Sequence, residues 1–458
     1  MPALLLGTES YSREWGDMPP VVLINMFTEA SPTDDDGVIL QQRPGLTSAA
    51  DWGDGPGHGV FSSAGTFGGD RFAVSGLYLY REGTQLGPIL GTGPVRWAAS
   101  DTAVVVTRGT YVYSYNGTDL SSIPFPDGAN CIDVAYLSGL FFFVREGGHQ
   151  FYWNDINEDE RTINGLDFAS AELMPDDLMG VQAVLGQLIL IGQESTETWF
   201  PTTDPDLPVQ RVDQRLFSAG ARAPGCSTQL GDTVLFVGNN GKVYRLGGGV
   251  DPISNPGIEE RITASTDCEV FAFTWDGHAF FCVRLDDTTL AFDLSTEKWT
   301  EFNTYQHGNW RAKCAANVGT DVYFGDDTGG NIWTFGDAFT DGGDPLEGYF
   351  TAMLPIQGGA IVVDSLEARG NTGSTDPLVG QDANPVIEMR YSRTRGRTWA
   401  DWREAPLGAQ GEYRTRAIYR RLGMFDAPGA LFQFRVTDVT PRRVGGVYIN
   451  EPGGGRSR

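Results

Sequence analysis

One structural phrase recurs along this chain: a β-rich run, a tight turn and a second β-rich run. Instances begin at Arg71 (RFAVSGLYLY), Thr102 (TAVVVTRGTYVYSY), Leu140 (LFFFVREGGHQFYW), Gln187 (QLILIGQESTETWF), Asp232 (DTVLFVGNNGKVYRL), His278 (HAFFCVRLDDTTLAFDL) and Asp321 (DVYFGDDTGGNIWTF), so successive starts lie 31, 38, 47, 45, 46 and 43 residues apart. Val, Ile, Phe, Tyr and Trp dominate the runs, as packing on a pleated surface favours. Asn116-Gly117, Asn240-Gly241 and Asp276-Gly277 supply the positive φ angles that two-residue hairpins need. A strand-only repeat of about 40 to 50 residues is the unit of a four-stranded propeller blade. The units share this pattern and little sequence. The expectation is a mainly β chain with a propeller of six or seven blades over residues 51–345; a pair of β-sandwiches is the alternative. Helix is expected only over Pro256 to Ala264. There Asn255 caps, Pro256 suits the first turn, Glu259 and Glu260 meet the positive end of the dipole, and Ile258 and Ile262 share a buried face.

Charge divides the chain. Overall it carries 33 basic and 59 acidic residues, a net of −26. From Pro345 onward there are 15 Arg, no Lys and 12 acids, a balance of +3, which leaves −29 for the rest. A separate C-terminal β-sandwich over 346–458 is expected, with strands around Ala360–Glu367, Val386–Ser392, Arg414–Arg421, Leu431–Val439 and Arg443–Ile449. Residues 1–50 form an N-terminal segment of strands. Gly370 to Ala383 reads as a polar loop, and Gly453 to Arg458 as a frayed tail. Arg393, Arg395 and Arg397 alternate and would share one face of a strand. With Arg420, Arg421, Arg442 and Arg443 they are the candidate basic surface for a subunit interface; a solvated face is the bland reading.

Several function classes are excluded or unsupported. A strongly acidic chain is a poor grasper of DNA or of an anionic membrane, because phosphate binding runs on Lys and Arg. No apolar run approaches the roughly 18 to 20 residues of a membrane span, and the first residues lack the basic and hydrophobic regions of a signal peptide. The five cysteines are scattered, without C-x-x-C, and of four histidines only His278 lies near one, four residues before Cys282. That is a helical spacing in a segment that reads as strand, so no zinc site is expected. Pairing Trp275 with His278 across the Asp276-Gly277 turn sets Cys282 opposite Phe271 and Cys268 opposite Leu285; they should stay reduced thiols. There is no Walker loop and no nucleophile elbow. Gly53 to Gly59 is glycine-rich but reads as a loop, with no strand before it and no helix after it. Asp34 to Asp36 lacks the spacing of an EF-hand. Ser392 to Trp399 is similar to the S-x-D-x-G-x-T-W box of sialidases, with Thr394 in place of the Asp; it reads as a strand, a polar turn and a packed Trp. No catalytic, cofactor or metal site is expected, and the chain is not expected to be an enzyme.

The order of other features carries a resemblance. Ile24-Asn25-Met26-Phe27 is followed by Gly37-Val38-Ile39-Leu40 and Arg43-Pro44-Gly45-Leu46. Gly192-Gln193-Glu194-Ser195-Thr196-Glu197-Thr198-Trp199-Phe200 follows, then Ala219-Gly220 with Ala223-Pro224, the strand at Asp232 to Gly238 and the helix at Ile258 to Ile262. Ala291-Phe292-Asp293-Leu294 precedes Trp299. In this collinear order the chain resembles the tail hub or nozzle proteins of short-tailed bacteriophages, also called packaged-DNA stabilisation proteins. The match is weak between Ser48 and Ile132, and the acidic Asp34–Asp36 insertion departs from it. The resemblance implies a structural virion protein, made in the host bacterial cytoplasm. It would form a hexameric ring below the portal–adaptor ring, extend an acidic DNA channel, retain packaged DNA, and seat needle, tailspike or fibre proteins. A glycan-binding or glycan-cleaving tail propeller and a protein-interaction scaffold are the alternatives.

Overall fold

Each of the seven hairpins is the middle pair of a four-stranded antiparallel sheet. The computed structural model describes residues 2–12, 20–32, 37–155, 160–171, 174, 176–204, 206–375 and 383–450, the side chains of residues 213 and 214 apart. Among the described residues there are seven such sheets. Six are consecutive in sequence, over 57–88, 95–122, 131–170, 178–217, 227–252 and 269–302, and are blades 1 to 6. Blade 7 pairs Ala312–Val318, Asp321–Asp326 and Asn331–Gly336 with an outer strand from far upstream, Gly45–Asp51. The innermost strands touch in succession around the ring, and Ala312–Val318 meets Gly57–Phe61 to close it.

The apolar runs follow from this stacking. A middle strand is covered on both faces by neighbouring blades, so both sets of alternating side chains must be apolar. In Leu140–Arg145, Phe141 and Phe143 pack with Ala98, Val105 and Val112 of blade 2. Phe142 and Val144 pack with Val181, Leu188 and Leu190 of blade 4. Full burial of such a side chain contributes roughly 1.5–3 kcal/mol. Outer strands lack this double cover, and Ile163–Ser170 leaves Leu166 82% exposed.

Local expectations are met closely in blade 6. Asp276 and Gly277 have φ of 47° and 83°, Trp275 pairs with His278, and Phe271 lies opposite Cys282. All five cysteines are free thiols. The helix spans Pro256–Ala264, the Asn255 side chain accepts from the Ile258 N–H, and Ile258 and Ile262 are buried. The glycine-rich stretch is different. Gly45–Asp51 precedes it, and its end is the inner strand Gly57–Phe61. Here glycine permits close approach: a Cβ at Gly57 would lie 3.0 Å from the Asp326 carbonyl, and one at Gly59 2.8 Å from the Trp97 indole nitrogen.

The C-terminal sandwich has two five-stranded sheets. One runs Leu5–Leu6, Gly348–Pro355, Gly429–Val436, Val386–Ser392, Arg403–Pro406; the other runs Met26–Ala30, Val38–Gln42, Arg443–Asn450, Ala360–Gly370, Ala417–Asp426. Residues 1–50 therefore supply three strands to the sandwich and begin the outer strand of blade 7. The expected strand at Arg414–Arg421 starts at Ala417, while Gly348–Pro355 and Arg403–Pro406 were not expected. Asp34–Asp36, residues 376–382 of the expected polar loop, and the tail Gly453–Arg458 lie outside the described residues. No described helix is long and apolar enough to cross a membrane.

Closure of blade 7 depends on Gly45. Its N–H donates to the Ala338 carbonyl, and a Cβ there would come within 2.3 Å of that oxygen and 2.2 Å of the Thr340 carbonyl. Both obstacles are backbone, so Gly45→Ala is expected to cost about 2 kcal/mol or more in urea unfolding. Gly148→Ala, which meets nothing within 4 Å, should be near neutral in the same measurement.

Candidate functional site

The propeller and the sandwich meet at one buried arginine. Arg43 begins the two-residue passage from sandwich strand Val38–Gln42 to blade strand Gly45–Asp51, and its side chain is 1% exposed. All five of its N–H donors are used. Nε donates to Asn25 Oδ1 at 2.9 Å. Nη1 donates to the Pro44 carbonyl and to Asp341 Oδ1. Nη2 donates to the Asn303 carbonyl and to Asp341 Oδ2, the last at 2.5 Å. Its guanidinium also lies 5.2 Å from the Trp310 ring centre. Asp341 in turn accepts from the Leu46 N–H and the Thr304 hydroxyl. Asn25, at a φ of 55°, donates to the Glu347 carbonyl and accepts from the Asn303 N–H. One buried network thus joins the first strands, blade 6, the exit from blade 7 and the entry to the sandwich. The Asn25 and Arg43 motifs were visible in the sequence; Asp341 was not, because nothing local marks it.

A second polar knot explains the Ala291-Phe292-Asp293-Leu294 motif. Asp293 accepts from the Ser295 N–H and the Thr296 hydroxyl, and pairs with His278 Nδ1 at 2.8 Å. The hydrogen bond to Asp293 raises the His278 pKa above its ordinary 6.5. Burial alone would raise Asp293, but the bonds from His278, Ser295 and Thr296 outweigh it and hold the carboxyl low.

The seven candidate interface arginines are not one surface. Val386–Ser392 ends before Arg393, and Arg393, Arg395 and Arg397 lie in the following turn, with Arg395 and Gly396 at φ of 54° and 89°. They do not share a strand face as alternation implied. The turn is held by Ser392 Oγ, which accepts from the Thr394 and Gly396 N–H groups. Thr394 Oγ1 accepts from the Thr398 N–H, so a threonine fills the turn-holding place of the sialidase-box aspartate. Trp399 packs under Arg390 at 4.7 Å. Arg393 donates to the Leu422 carbonyl on the outer edge of Ala417–Asp426, and Arg403 donates to the Arg420 carbonyl beside it. Arg442 is buried, donating to the Leu346 and Asp438 carbonyls, and is removed from any outward basic face. Arg443 is exposed but bound to Gln41 and Glu29 of the N-terminal strands. Arg420 and Arg421 are exposed on the edge strand.

The centre of the propeller holds a cavity of about 330 Å³. Each blade lends it a side chain from the inner strand: His58, Arg96, Asp133, Gln182, Thr228, Glu269 and Lys313 from blades 1 to 7 in turn. Lys313 lies 3.7 Å from Glu269. Asp133 turns into blade 4, accepting from the Val181 N–H as well as that of Val134, each at 2.9 Å. Burial raises its pKa to about 6. The His58 pKa is lowered to about 4 by burial and by the charges of Arg108 and Lys313. Sequence reasoning missed this set, because single polar residues in short apolar runs converge only once the blade frame is known. No cluster suited to a metal ion occurs among the described residues.

Comparison with known proteins gives collinear matches to both domains. The family described as Bacteriophage P22 Gp10, beta-propeller, matches residues 3–339, and that described as Bacteriophage P22 Gp10, beta-sandwich, matches residues 348–451. The tail hub protein gp10 of Salmonella phage P22 is 24% identical over 324 residues, 64% of this chain and 66% of that protein. The chain thus spans a little under two thirds of that relative's length. Among solved structures, PorZ of Porphyromonas gingivalis covers 70% of this chain and 44% of its own at 13% identity and a TM-score of 0.37. Chaetomium thermophilum Raptor covers 65% and 29% at 11% identity and a TM-score of 0.40. At such scores neither bears on function.

Two outcomes follow for the polar knots. Arg43→Met leaves Asp341 buried and unpaired, and should cost about 3–5 kcal/mol in chemical denaturation; adding Asp341→Leu should recover part of the loss. For His278 the protonated ring is the favoured form. Its contribution is full below pH 6.5 and fades as pH rises through the higher folded value. The melting-temperature gap between wild type and His278→Gln should be widest below pH 6.5 and narrow as the pH rises above it and through the raised folded value.

Proposed function

Because the chain belongs to the bacteriophage P22 Gp10 family, we propose that it is a structural component of a short-tailed phage tail, acting as the tail hub. The observation that carries this is the matching of both family domains in order over 3–339 and 348–451. In this reading six copies form a ring below the portal–adaptor. The ring continues the DNA channel, retains the packaged genome and seats needle, tailspike or fibre proteins. The protein is made in the host cytoplasm, ends in the virion tail, and performs no catalysis. The domain division we adopt is 51–345 for the propeller and 346–458 for the sandwich, with residues 1–50 bridging them.

The physics supports a protomer whose two domains move as one. The Arg43 network ties the two domains through buried, fully hydrogen-bonded groups, which resist relative motion better than an exposed linker. The DNA path belongs between protomers, since the propeller's own cavity of about 330 Å³ is far too small for a duplex. An acidic wall there would repel phosphates and let DNA slide. Arg395, Arg397, Arg420 and Arg421 are the outward arginines best placed to meet an acidic propeller on a neighbouring copy.

Mass analysis and negative-stain imaging of the purified chain, alone and with its portal–adaptor complex, test the reading. A six-fold ring is expected, at least on the adaptor. The double variant Arg420→Glu/Arg421→Glu should lower ring yield without moving the melting temperature. A monomer of 49.8 kDa that ignores the adaptor would overturn the proposal.

A further inference from the structure

Two of the five free thiols meet at the seam between blades 5 and 6. Cys226 directly precedes the inner strand of blade 5, and Cys268 directly precedes that of blade 6. The two segments run side by side here, the Val270 N–H donating to the Gly225 carbonyl at 3.2 Å. The Cys226 thiol donates to the Cys268 carbonyl at 3.2 Å, and the two thiols hydrogen-bond to each other. The other three cysteines stand elsewhere: Cys131 opens the inner strand of blade 3, Cys282 lies within the blade 6 strand His278–Arg284, and Cys314 lies in the inner strand of blade 7.

Both thiols are carried on backbone that is held in place. Arg222, in the loop before Cys226, donates to the Ile262 and Ser265 carbonyls at the end of the helix, each at 2.6 Å. On the other side, Asp286 accepts from the Thr266 and Asp267 N–H groups. A pair kept in contact in this way loses little further freedom when its sulfurs close to the bonded separation of about 2.05 Å. The two differ in exposure. Cys226 is 0% exposed and Cys268 is partly exposed, so a small reagent meets Cys268 first. The hydrogen bond from the Cys268 thiol, helped by the charges of Arg96 and Arg222, lowers the Cys226 pKa, and the same bond raises that of Cys268. Cys268 is therefore the point of entry, and Cys226 is the sulfur on which a resolving thiolate is favoured.

We propose that Cys226 and Cys268 form a disulfide that staples blade 5 to blade 6 once the protein leaves a reducing compartment. The oxidant is a small disulfide such as oxidised glutathione. Cys268 gives up its proton, attacks one sulfur of the reagent and expels a thiolate, which takes up a proton. The Cys226 thiolate then attacks the Cys268 sulfur, closing the bond between the two residues and expelling the second thiolate. The protein loses two electrons and two protons, and the reagent gains them as two thiols. The closed loop contains the whole of blade 5 and the helix Pro256–Ala264, so the bond restricts a large segment of the unfolded chain and stabilises the fold. A reducing cytoplasm keeps the pair open during synthesis, and an oxidising exterior lets it close. Only that timing rests on the tail-hub reading; the bond itself lies within one chain.

The test is thiol counting and peptide mapping of the intact chain after incubation with oxidised glutathione at pH ~8, close to the ordinary thiol pKa, and quenching with acid. Thiols titrated in denaturant should fall from five to three as the pair is consumed. A peptide pair linking residues 226 and 268 should appear, and the melting temperature should rise by several degrees. Dithiothreitol should reverse all three changes. Cys268→Ser should keep its remaining thiols and show no rise; if it does not fold, the wild-type map decides. Five thiols left intact, glutathione held on Cys268 without closure, or a link between other cysteines would each overturn the proposal. The count is made on the isolated chain, so a negative result leaves the tail-hub reading standing, and failure to form a ring leaves the disulfide standing.

Discussion

A single guanidinium–carboxylate pair, Arg43 with Asp341, fixes how the rest of this structure fits together. Its partners come from the first strands, blade 6 and the exit of blade 7, and Asn25 extends the network to the start of the sandwich. Such a pair is a poor source of net stability, because two charges leave water to form it. What it supplies is register. Asp341 also accepts from the Leu46 N–H, so the strand that closes the propeller can dock in one alignment only without stranding a buried charge. A one-residue slip would turn Leu46 away from the blade core it now shares with Phe324 and Trp333.

Much of the fold was legible because middle blade strands are buried on both faces. That demand writes long apolar runs, such as Leu-Phe-Phe-Phe-Val at 140–144, into the sequence. Of the three turns read as two-residue hairpins, Asp276-Gly277 is one, with both residues at positive φ. Asn116-Gly117 and Asn240-Gly241 lie in longer loops, between Tyr115 and Leu120 and between Val237 and Val243, where only the glycine is left-handed. Inner and outer strands were hidden. The inner ones are interrupted by glycines that let neighbours approach and by the single polar residues of the central cavity. The outer ones are half exposed. The outer strand of blade 7 could not be assigned locally at all, since its partners at Asn331–Gly336 lie far down the chain. The Arg43 motif was noticed for its order and not for its chemistry, because the acid that completes it stands in the two-residue strand Thr340–Asp341, just before the Gly342-Gly343 turn.

Charge counting was less informative than geometry. The sandwich is rich in arginine, yet several of these side chains are inward fasteners. Arg393 and Arg403 cover carbonyls on the exposed edge of Ala417–Asp426, which hinders pairing with a foreign strand there. Arg442 donates to two buried carbonyls near the domain junction. Trp402 lies between Arg390 and Arg435, 4.6 and 4.3 Å from their guanidinium carbons. Five N–H donors make arginine useful wherever several carbonyls converge, and a tally of residues does not separate that use from a docking surface.

The outer strand of blade 7 has a consequence in time. Gly45–Asp51 is made early, but the strand it pairs with begins at Asn331. At synthesis rates of about 5–20 residues per second, the early strand waits roughly 15–60 s for its partner. Through that interval blades 1 to 6 can stack in the order they emerge, while the ring stays open and one sheet edge stays bare. The first strands wait longer still, since Leu40 pairs with Val444. The molecule is therefore latched from both directions only after Val444 has been made, and the early strands Val38–Gln42 and Gly45–Asp51 are among the last parts to find their place.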